Sequence, residues 1–106
     1  MIAYITEVTE ENYENFIDND LSLLDLYANW CKPCKTLKPV IDKISNEYYQ
    51  RVKVGALDVS ENIDIPASLG IRNIPTLIIF QKGTIIKKLT GVVSEDEIKN
   101  ELDKLL

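Results

Sequence analysis

The sequence predicts one α/β domain, residues 1–106, with a central mixed β-sheet and helices on both of its faces. Apolar runs of strand length alternate with stretches of helical periodicity in the order β-α-β-α-β-α-β-β-α. The run Leu21–Tyr27 has few polar positions and indicates a strand buried on both faces, as in a parallel sheet. A turn at Gln81–Thr84 between two apolar runs indicates an antiparallel hairpin near the end of the chain.

Composition and charge disfavour several functional classes. The net charge of −5 argues against nucleic acid or an anionic membrane as the main partner. No apolar run approaches the roughly 20 residues of a membrane-spanning helix, and no signal peptide is evident, so a cytoplasmic location is expected. Histidine is absent, which removes imidazole catalysis, and two cysteines alone make a poor zinc site, so no metal is expected.

The first elements follow from local pattern. Ile2–Ile5 is a short strand candidate, and Thr9 is the expected N-cap of a helix with three apolar residues on one face, Tyr13, Phe16 and Ile17. The next strand, Leu21–Tyr27, contains Asp25, a carboxylate whose pKa burial would raise. The alternative is that Asp25 lies at a solvated edge or strand end.

A long helix is predicted from about Cys34 to Tyr49. Its buried face is formed by apolar residues at helical spacing, Leu37, Val40, Ile41, Ile44 and Tyr48. Pro39 lies inside it and is expected to kink the helix, because it removes the hydrogen bond to the carbonyl of Lys35.

The second half continues the alternation. Val52–Val59 is a strand, Asn62–Leu69 is a short helix closed by Gly70, and the hairpin strands are Leu77–Phe80 and Ile85–Leu89. The last helix is predicted from a capping box and an apolar stripe, which are Ser94–Glu97 and Ile98, Leu102 and Leu105.

The candidate chemistry lies in Trp30–Cys34, a stretch with the only two cysteines and the only tryptophan. Two thiols separated by two residues, between a strand and a helix, are typical of a redox pair. Cys31 at the helix start would face free N–H groups, which favour its thiolate, so Cys31 attacks. Cys34, expected to be more buried, resolves the mixed disulfide. With no histidine, Asp25 on the preceding strand is the natural base for Cys34.

Two further segments strengthen this interpretation. Leu24–Lys35, together with Pro39, resembles the active-site segment of thioredoxins, and Gly70–Leu77 resembles their second signature. Gly91 stands where that family keeps a glycine. The resemblance covers essentially the whole chain and implies the thioredoxin fold, with reduction of protein disulfides by dithiol-disulfide exchange.

The resemblance also implies roles for individual residues. Cys31 matches the nucleophile, Cys34 the resolving cysteine, and Asp25 the aspartate that moves a proton to and from Cys34 through water. Pro75 matches a cis-proline that faces the disulfide, and substrate docks on Trp30, Ile74 and Gly91. No bound cofactor is implied beyond the Cys31–Cys34 disulfide. The implied partners of a monomer are an NADPH-dependent thioredoxin reductase and disulfide-containing proteins.

Three residues depart from the usual pattern of the family. Lys32 replaces a glycine, Tyr27 stands where tryptophan or phenylalanine is common, and Ala56 stands where many relatives place a lysine. Without that amine the pKa of Asp25 is expected to be at least as raised as in relatives, unless Lys53 or Lys32 reaches it.

Lys32 and Pro33, between the cysteines, are the predicted redox-tuning residues. Pro33 fits the first helical turn, where a missing N–H is harmless. Lys32 begins a stripe with Lys35 and Lys38 that is most simply a solvated helix face. A cation near a helix N-terminus is nevertheless unfavourable by roughly 0.3–1 kcal/mol. Lys32 is therefore expected to stabilise the Cys31 thiolate and make the couple more oxidising.

Alternatives remain open at this stage. Trp30 is either a core residue or part of a docking surface, and without the resemblance Pro75 would be an ordinary trans proline. The chain is either an enzyme or a binding module of the same fold, in which the surface matters more than the thiols. A dedicated oxidase or isomerase is a third class, disfavoured by the lack of a signal peptide and of a histidine between the cysteines.

Overall fold

The computed structural model describes residues 3–106 and contains a five-stranded mixed sheet. Its elements in chain order are β1 (Ile5–Glu7), α1 (Tyr13–Ile17), β2 (Ser22–Tyr27), α2 (Lys32–Glu47), β3 (Lys53–Asp58), α3 (Asp64–Ser68), β4 (Thr76–Gln81), β5 (Thr84–Thr90) and α4 (Glu95–Asp103). The strand order is β1-β3-β2-β4-β5. The β1–β3 and β3–β2 pairs are parallel, whereas β2–β4 and β4–β5 are antiparallel. The predicted fold class is therefore confirmed.

Each face of the sheet has its own apolar core. One face packs against α2 and α4 through Leu37, Ile41, Ile44, Ile98 and Leu102. The other packs against α1 and α3 through Phe16, Ile17 and Ile65. Strand β2 lies between them and is buried from Ser22 to Leu26, which confirms the prediction of a strand buried on both faces.

The first strand differs from the prediction. It begins at Ile5, and Ile2 lies outside the described residues. Tyr4 does not join the sheet, because its N–H donates to Ser45 Oγ at 3.1 Å and its ring stacks on Tyr49. The Ser45 side chain on α2 therefore accepts the Tyr4 N–H, which is no longer available for hydrogen bonding to a neighbouring strand.

The predicted N-cap at Thr9 is wrong. Helix α1 begins at Tyr13, after Asn12. The Asn12 side chain accepts a hydrogen bond from the Thr9 N–H at 2.7 Å and donates one to the Glu7 carbonyl at 2.9 Å. These bonds hold the segment before the helix as a turn and delay the helix start. The predicted apolar face is confirmed, with Phe16 and Ile17 buried.

Helix α2 begins earlier than predicted, at Lys32, with Cys31 as its N-cap. The structure continues as one helix through Pro39 to Glu47. Its predicted buried face is confirmed, except that Val40 is only partly buried. Just after the helix, the Tyr48 hydroxyl donates to Asp103 Oδ1 at 2.7 Å, which ties this end to α4.

The later element ends follow the predicted capping signals. Gly70 has φ +68°, and two bonds run back into α3, from the Gly70 N–H to the Ala67 carbonyl and from the Ile71 N–H to the Pro66 carbonyl. This is the Schellman arrangement that favours glycine. At α4, Ser94 Oγ accepts from the Glu97 N–H at 3.1 Å, so the predicted N-cap is confirmed. None of the helices in residues 3–106 has the length and apolar character needed to cross a membrane.

Candidate active site

The cysteine pair lies at the N-terminus of α2, where the chain leaves β2 and turns into the helix. Cys31 and Cys34 form a disulfide with their Cα atoms 5.3 Å apart. Cys31 is held by its own N–H, which donates to the Ala28 carbonyl at 3.1 Å. The Cys34 N–H donates to Cys31 Sγ at 3.2 Å. The Cys34 N–H, one of the first-turn donors without an acceptor inside the helix, thus points at the Cys31 sulfur. A donor in this position stabilises a Cys31 thiolate.

The expected difference in burial between the two cysteines is wrong at the level of whole residues. Each is 4% exposed, and together with Ala28 they form a small cluster against Tyr27, Val59 and Ile74. The loops around the helix start cover both cysteines equally. What distinguishes them is the backbone donor, because Cys31 Sγ accepts an N–H and Cys34 supplies it.

Asp25 is buried inside the sheet and is not at a solvated edge. It is 5% exposed and lies on central strand β2, in register with Ala56 on β3 and Leu77 on β4. Its Oδ1 atom has no hydrogen-bond partner among the described residues. Burial raises the pKa of Asp25 to about 7, the Lys38 ammonium opposes this rise, and the Asp42 carboxylate adds to it.

Asp25 and Cys34 line the same cavity, which has a volume of about 460 Å³. Its lining includes Asp25, Cys34, Tyr27, Lys35, Lys38 and Ala56. The volume has room for water molecules, and an unpartnered carboxylate oxygen is the kind of group that holds them. The predicted position of Asp25 beneath the start of α2 is therefore confirmed.

The cation that lowers the pKa of Asp25 is Lys38, and not Lys53 or Lys32, which were the lysines expected to reach it. In the β2–β3 register Lys53 stands opposite Ser22, three positions from Asp25, and it lines a separate cavity. Lys32 is exposed and does not line the cavity of Asp25. Lys38 was missed as an electrostatic neighbour. Its signal was its position four residues after Cys34, which places both side chains on one side of α2.

The second signature segment, Gly70–Leu77, lies beside the disulfide through Ile74. The Ile74–Pro75 peptide bond is cis, as the resemblance implied, and Ile74 packs against the cysteine cluster. The Gly91 N–H donates to the Pro75 carbonyl at 2.9 Å, and Gly91 has φ +89°, a conformation that favours glycine. Trp30 is 74% exposed, so the interpretation of it as a core residue is wrong.

The predicted tuning residues occupy the first turn of α2. Lys32 and Pro33 are its first two residues, and both are exposed. The first turn carries no acidic residue, and Lys32 takes no part in the ion pairs found within residues 3–106. Within the same range, no three His, Cys, Asp or Glu side chains are grouped to hold a metal ion.

Comparison with known proteins connects this site to a family. The family model described as Thioredoxin matches residues 4–104. The chain belongs to the thioredoxin family. It is 40% identical over 102 residues to a thioredoxin of Buchnera aphidicola subsp. Acyrthosiphon pisum (strain APS), covering 94% of each chain. It is 36% identical over 104 residues to a thioredoxin of Porphyra purpurea, covering 96% of this chain and 97% of that one.

The fold agrees with solved thioredoxins. A mutant thioredoxin from Halobacterium salinarum NRC-1 superposes with a TM-score of 0.80 at 32% identity, covering 97% of this chain and 88% of that chain. As a member of the family, the chain is a thiol-disulfide oxidoreductase that reduces protein disulfides through Cys31 and Cys34. Its redox centre is this pair itself. A reductase and disulfide-containing proteins are the partner classes that the family implies.

Proposed function

We propose that Cys31 is the nucleophile, Cys34 the resolving thiol and Asp25 the group that takes the proton of Cys34. One observation carries this assignment: the Oδ1 atom of the buried Asp25 has no hydrogen-bond partner among residues 3–106, and Asp25 shares a cavity with Cys34. A buried polar atom without a partner is costly, and such atoms concentrate where chemistry needs them.

The first step belongs to Cys31. Its thiolate, stabilised by the Cys34 N–H, attacks one sulfur of the substrate disulfide. A mixed disulfide forms, and the other substrate sulfur leaves as a thiolate that takes a proton from solvent. Cys34 donates its N–H to Cys31 Sγ and does not receive that stabilisation itself, so a second group must remove the proton of the Cys34 thiol before it can react.

The second step needs that base. Asp25 accepts the proton of Cys34, across a water in the cavity, and the Cys34 thiolate attacks Cys31 Sγ. The Cys31–Cys34 disulfide forms, and the second substrate sulfur leaves, so two electrons pass from the pair to the substrate. A pKa of about 7 suits Asp25 to this task, because the carboxyl then gains and loses a proton near neutral pH.

Substrate docks on the surface around the disulfide, formed by Trp30, Ile74, Pro75 and Gly91. Trp30, which directly precedes Cys31, is exposed, and Ile74 packs against the cysteine cluster, so both side chains can offer apolar contact to a substrate. An extended substrate segment pairs with the backbone at Ile74, which precedes β4. The Gly91 N–H is occupied by Pro75, so Gly91 contributes shape and close approach and not a donor.

Electrons come from an NADPH-dependent thioredoxin reductase, and the protein acts as a cytoplasmic monomer. Lys32 and Pro33 set the redox balance of the pair. Lys32 directly follows Cys31, in a first helix turn without acidic residues, so its positive charge favours the Cys31 thiolate and the reduced form.

The assignment of Asp25 is tested by following resolution of the mixed disulfide against pH in single-turnover experiments. Asp25→Asn should slow this step about 10²-fold near neutral pH and remove its pH dependence around 7, because the general base is lost. Asp58→Asn is the matched control: Asp58 is also buried, but Ser60 satisfies its carboxylate. Unchanged resolution in Asp25→Asn would refute the role.

The order of the cysteines is tested with the same substrate. Cys34→Ser should accumulate a stable mixed disulfide with a model disulfide protein, and Cys31→Ser should accumulate none. Trapping by Cys31→Ser at an equal rate would reverse the assignment. Lys32→Gly should lower the reduction potential by roughly 6–20 mV, with Lys43→Gly as the control on the same helix. An equal or higher potential in Lys32→Gly would contradict its tuning role.

A further inference from the structure

Among the residues that the structure describes, the positively charged side chains that line the cavity around Asp25 come from one side only. The strand neighbours of Asp25, Ala56 on β3 and Leu77 on β4, carry no charge. The positively charged side chains in the lining are Lys35 and Lys38, and both come from α2. A helix that packs over the sheet therefore supplies the field that the sheet itself does not.

Lys38 is held in place by a second charge on the same helix. Its Nζ atom donates to Asp42 Oδ1 at 3.2 Å and to Asp42 Oδ2 at 3.3 Å, one turn further along. The Lys38 side chain is 67% exposed and that of Asp42 is 25% exposed. Lys38 therefore lies at the rim of the cavity that it lines, and Asp42 lies one turn further along the helix, outside the lining. Water weakens the field of both charges without removing it.

The two members act on Asp25 in opposite directions. The Lys38 ammonium stabilises the Asp25 carboxylate and lowers its pKa, whereas the Asp42 carboxylate disfavours a second negative charge and raises it. The net field at Asp25 therefore depends on both side chains together.

We propose that Lys38 and Asp42 are positioning residues that set how readily Asp25 releases its proton, in place of a lysine on β3. The inference rests on the proposed role of Asp25 as the base for Cys34, and concerns the proton affinity of Asp25 itself. The segment from the N-cap Cys31 to Asp42, in the third turn of α2, would then carry both the cysteines and the electrostatic control of their base.

The other titratable groups around Asp25 contribute less. Tyr27 on β2 lines the same cavity, and burial raises the pKa of its phenol, so it stays uncharged near neutral pH. Lys35 is exposed in the first turn of α2. Glu7 on β1 and Asp58 on β3 act on Tyr27. The proton affinity of Asp25 responds to Lys38 and Asp42.

The test is direct titration of the Asp25 carboxyl by carbon-13 NMR in the oxidised protein, assigned by the signal missing from Asp25→Asn. Lys38→Met should raise the pKa of Asp25, and Asp42→Asn should lower it. Each shift should be about 0.2–0.7 pH unit, the size that rim-exposed charges produce, and should shrink at high salt. Shifts of opposite sign are a readout that simple loosening of α2 would not give.

Lys43→Met is the matched control. Lys43 lies on the same helix and pairs with Glu95 at 3.0 Å, outside the cavity lining. Lys43→Met should leave the pKa of Asp25 unchanged. Equal shifts in Lys38→Met and Lys43→Met, shifts of the same sign in Lys38→Met and Asp42→Asn, or no shift in either would each overturn the inference.

The pH profile of mixed-disulfide resolution separates this inference from the function on which it rests. If the titration of Asp25 moves in Lys38→Met while the resolution profile does not, the inference stands and Asp25 is not the base. If Asp25→Asn abolishes the pH dependence but Lys38→Met leaves the titration unmoved, Asp25 is the base and the inference is wrong. A parallel shift of titration and profile supports both.

Discussion

The two sides of the sheet at β2 and β3 are filled very differently. Successive residues of a strand face opposite sides, so Asp25 and Ala56 face α2, whereas Leu24 and Gly55 face α1. The α2 side holds a cavity of about 460 Å³ and the Asp25 Oδ1 atom, which has no hydrogen-bond partner in the described part of the chain. On the α1 side, a Cβ added at Gly55 would lie 2.6 Å from Val8 Cγ2 and 2.7 Å from the Phe16 ring.

The difference separates what holds this fold together from what makes it react. The α1 side is packed so closely that one strand position must be glycine, and close packing of this kind supplies stability. The α2 side leaves space beside a buried acid, which costs stability whenever the acid is ionised. Both conditions occur one residue apart on the same two strands, so the contrast can be tested by substitutions there.

The largest expected effect comes from removing the charge of Asp25. The folded protein holds the Asp25 proton up to a pKa of about 7, against an ordinary value of 3.8, so stability is lost as pH rises through this window. At 1.4 kcal/mol per pKa unit, the full loss is roughly 4 kcal/mol. Asp25→Asn should therefore be more stable than the parent above pH 7 by up to that amount, measured by denaturant unfolding.

The gain should vanish at low pH. Below about pH 4 the parent Asp25 is protonated in both the folded and the unfolded state, so the two proteins should unfold alike. A gain of the same size at acidic and alkaline pH would show that burial of charge is not its cause. Asp58→Asn, whose carboxylate accepts from the Ser60 N–H and hydroxyl, should give no gain at alkaline pH.

The next effect tests the packed side. Gly55→Ala should lower the free energy of unfolding by about 1–3 kcal/mol, because the new methyl group overlaps Val8 and Phe16 and forces both to move. The measurement is urea unfolding at one pH. Unchanged stability would mean that the α1 side can yield, and the proposed contrast between the two sides would be lost.

The smallest effect is expected one residue later, on the open side. Ala56→Val adds two methyl groups beside the cavity that Ala56 lines, where there is room for them. Its free energy of unfolding should change by less than about 1 kcal/mol, although the added volume is larger than in Gly55→Ala. A loss greater than that of Gly55→Ala would reverse the comparison.

Most of the fold was predictable because its signals are local. The apolar run of β2, the periodicity of α2 and the serine that caps α4 each lie within a few residues and appear as expected. The failures are at element ends, where a distant or competing donor decides. Ser45 removes Tyr4 from the first strand, and Asn12 delays α1 beyond the start that Thr9 suggested.

The residues of the candidate site likewise fall into those that the local sequence predicts and those that only the tertiary structure reveals. The spacing of Cys31 and Cys34 identified the redox pair without any structure, and the position of Asp25 before them predicted it as the candidate base. The Lys38–Asp42 pair was missed, because a lysine and an aspartate four residues apart are an ordinary feature of exposed helix faces. Only the packing of α2 over β2 shows that Lys38, one member of this pair, lines the cavity of a buried acid.

By itself, the sequence determined the thiol chemistry, the α/β order and the place of the cysteines at a helix start, because each depends on neighbours along the chain. The tertiary structure decided which groups meet Asp25 and which segment meets the disulfide. Strand register sets Ala56 opposite Asp25, and the hydrogen bond between Pro75 and Gly91 brings two distant stretches together beside the cysteines. Such contacts depend on how the helices and strands pack together, and the spacing of residues along the chain does not predict that packing.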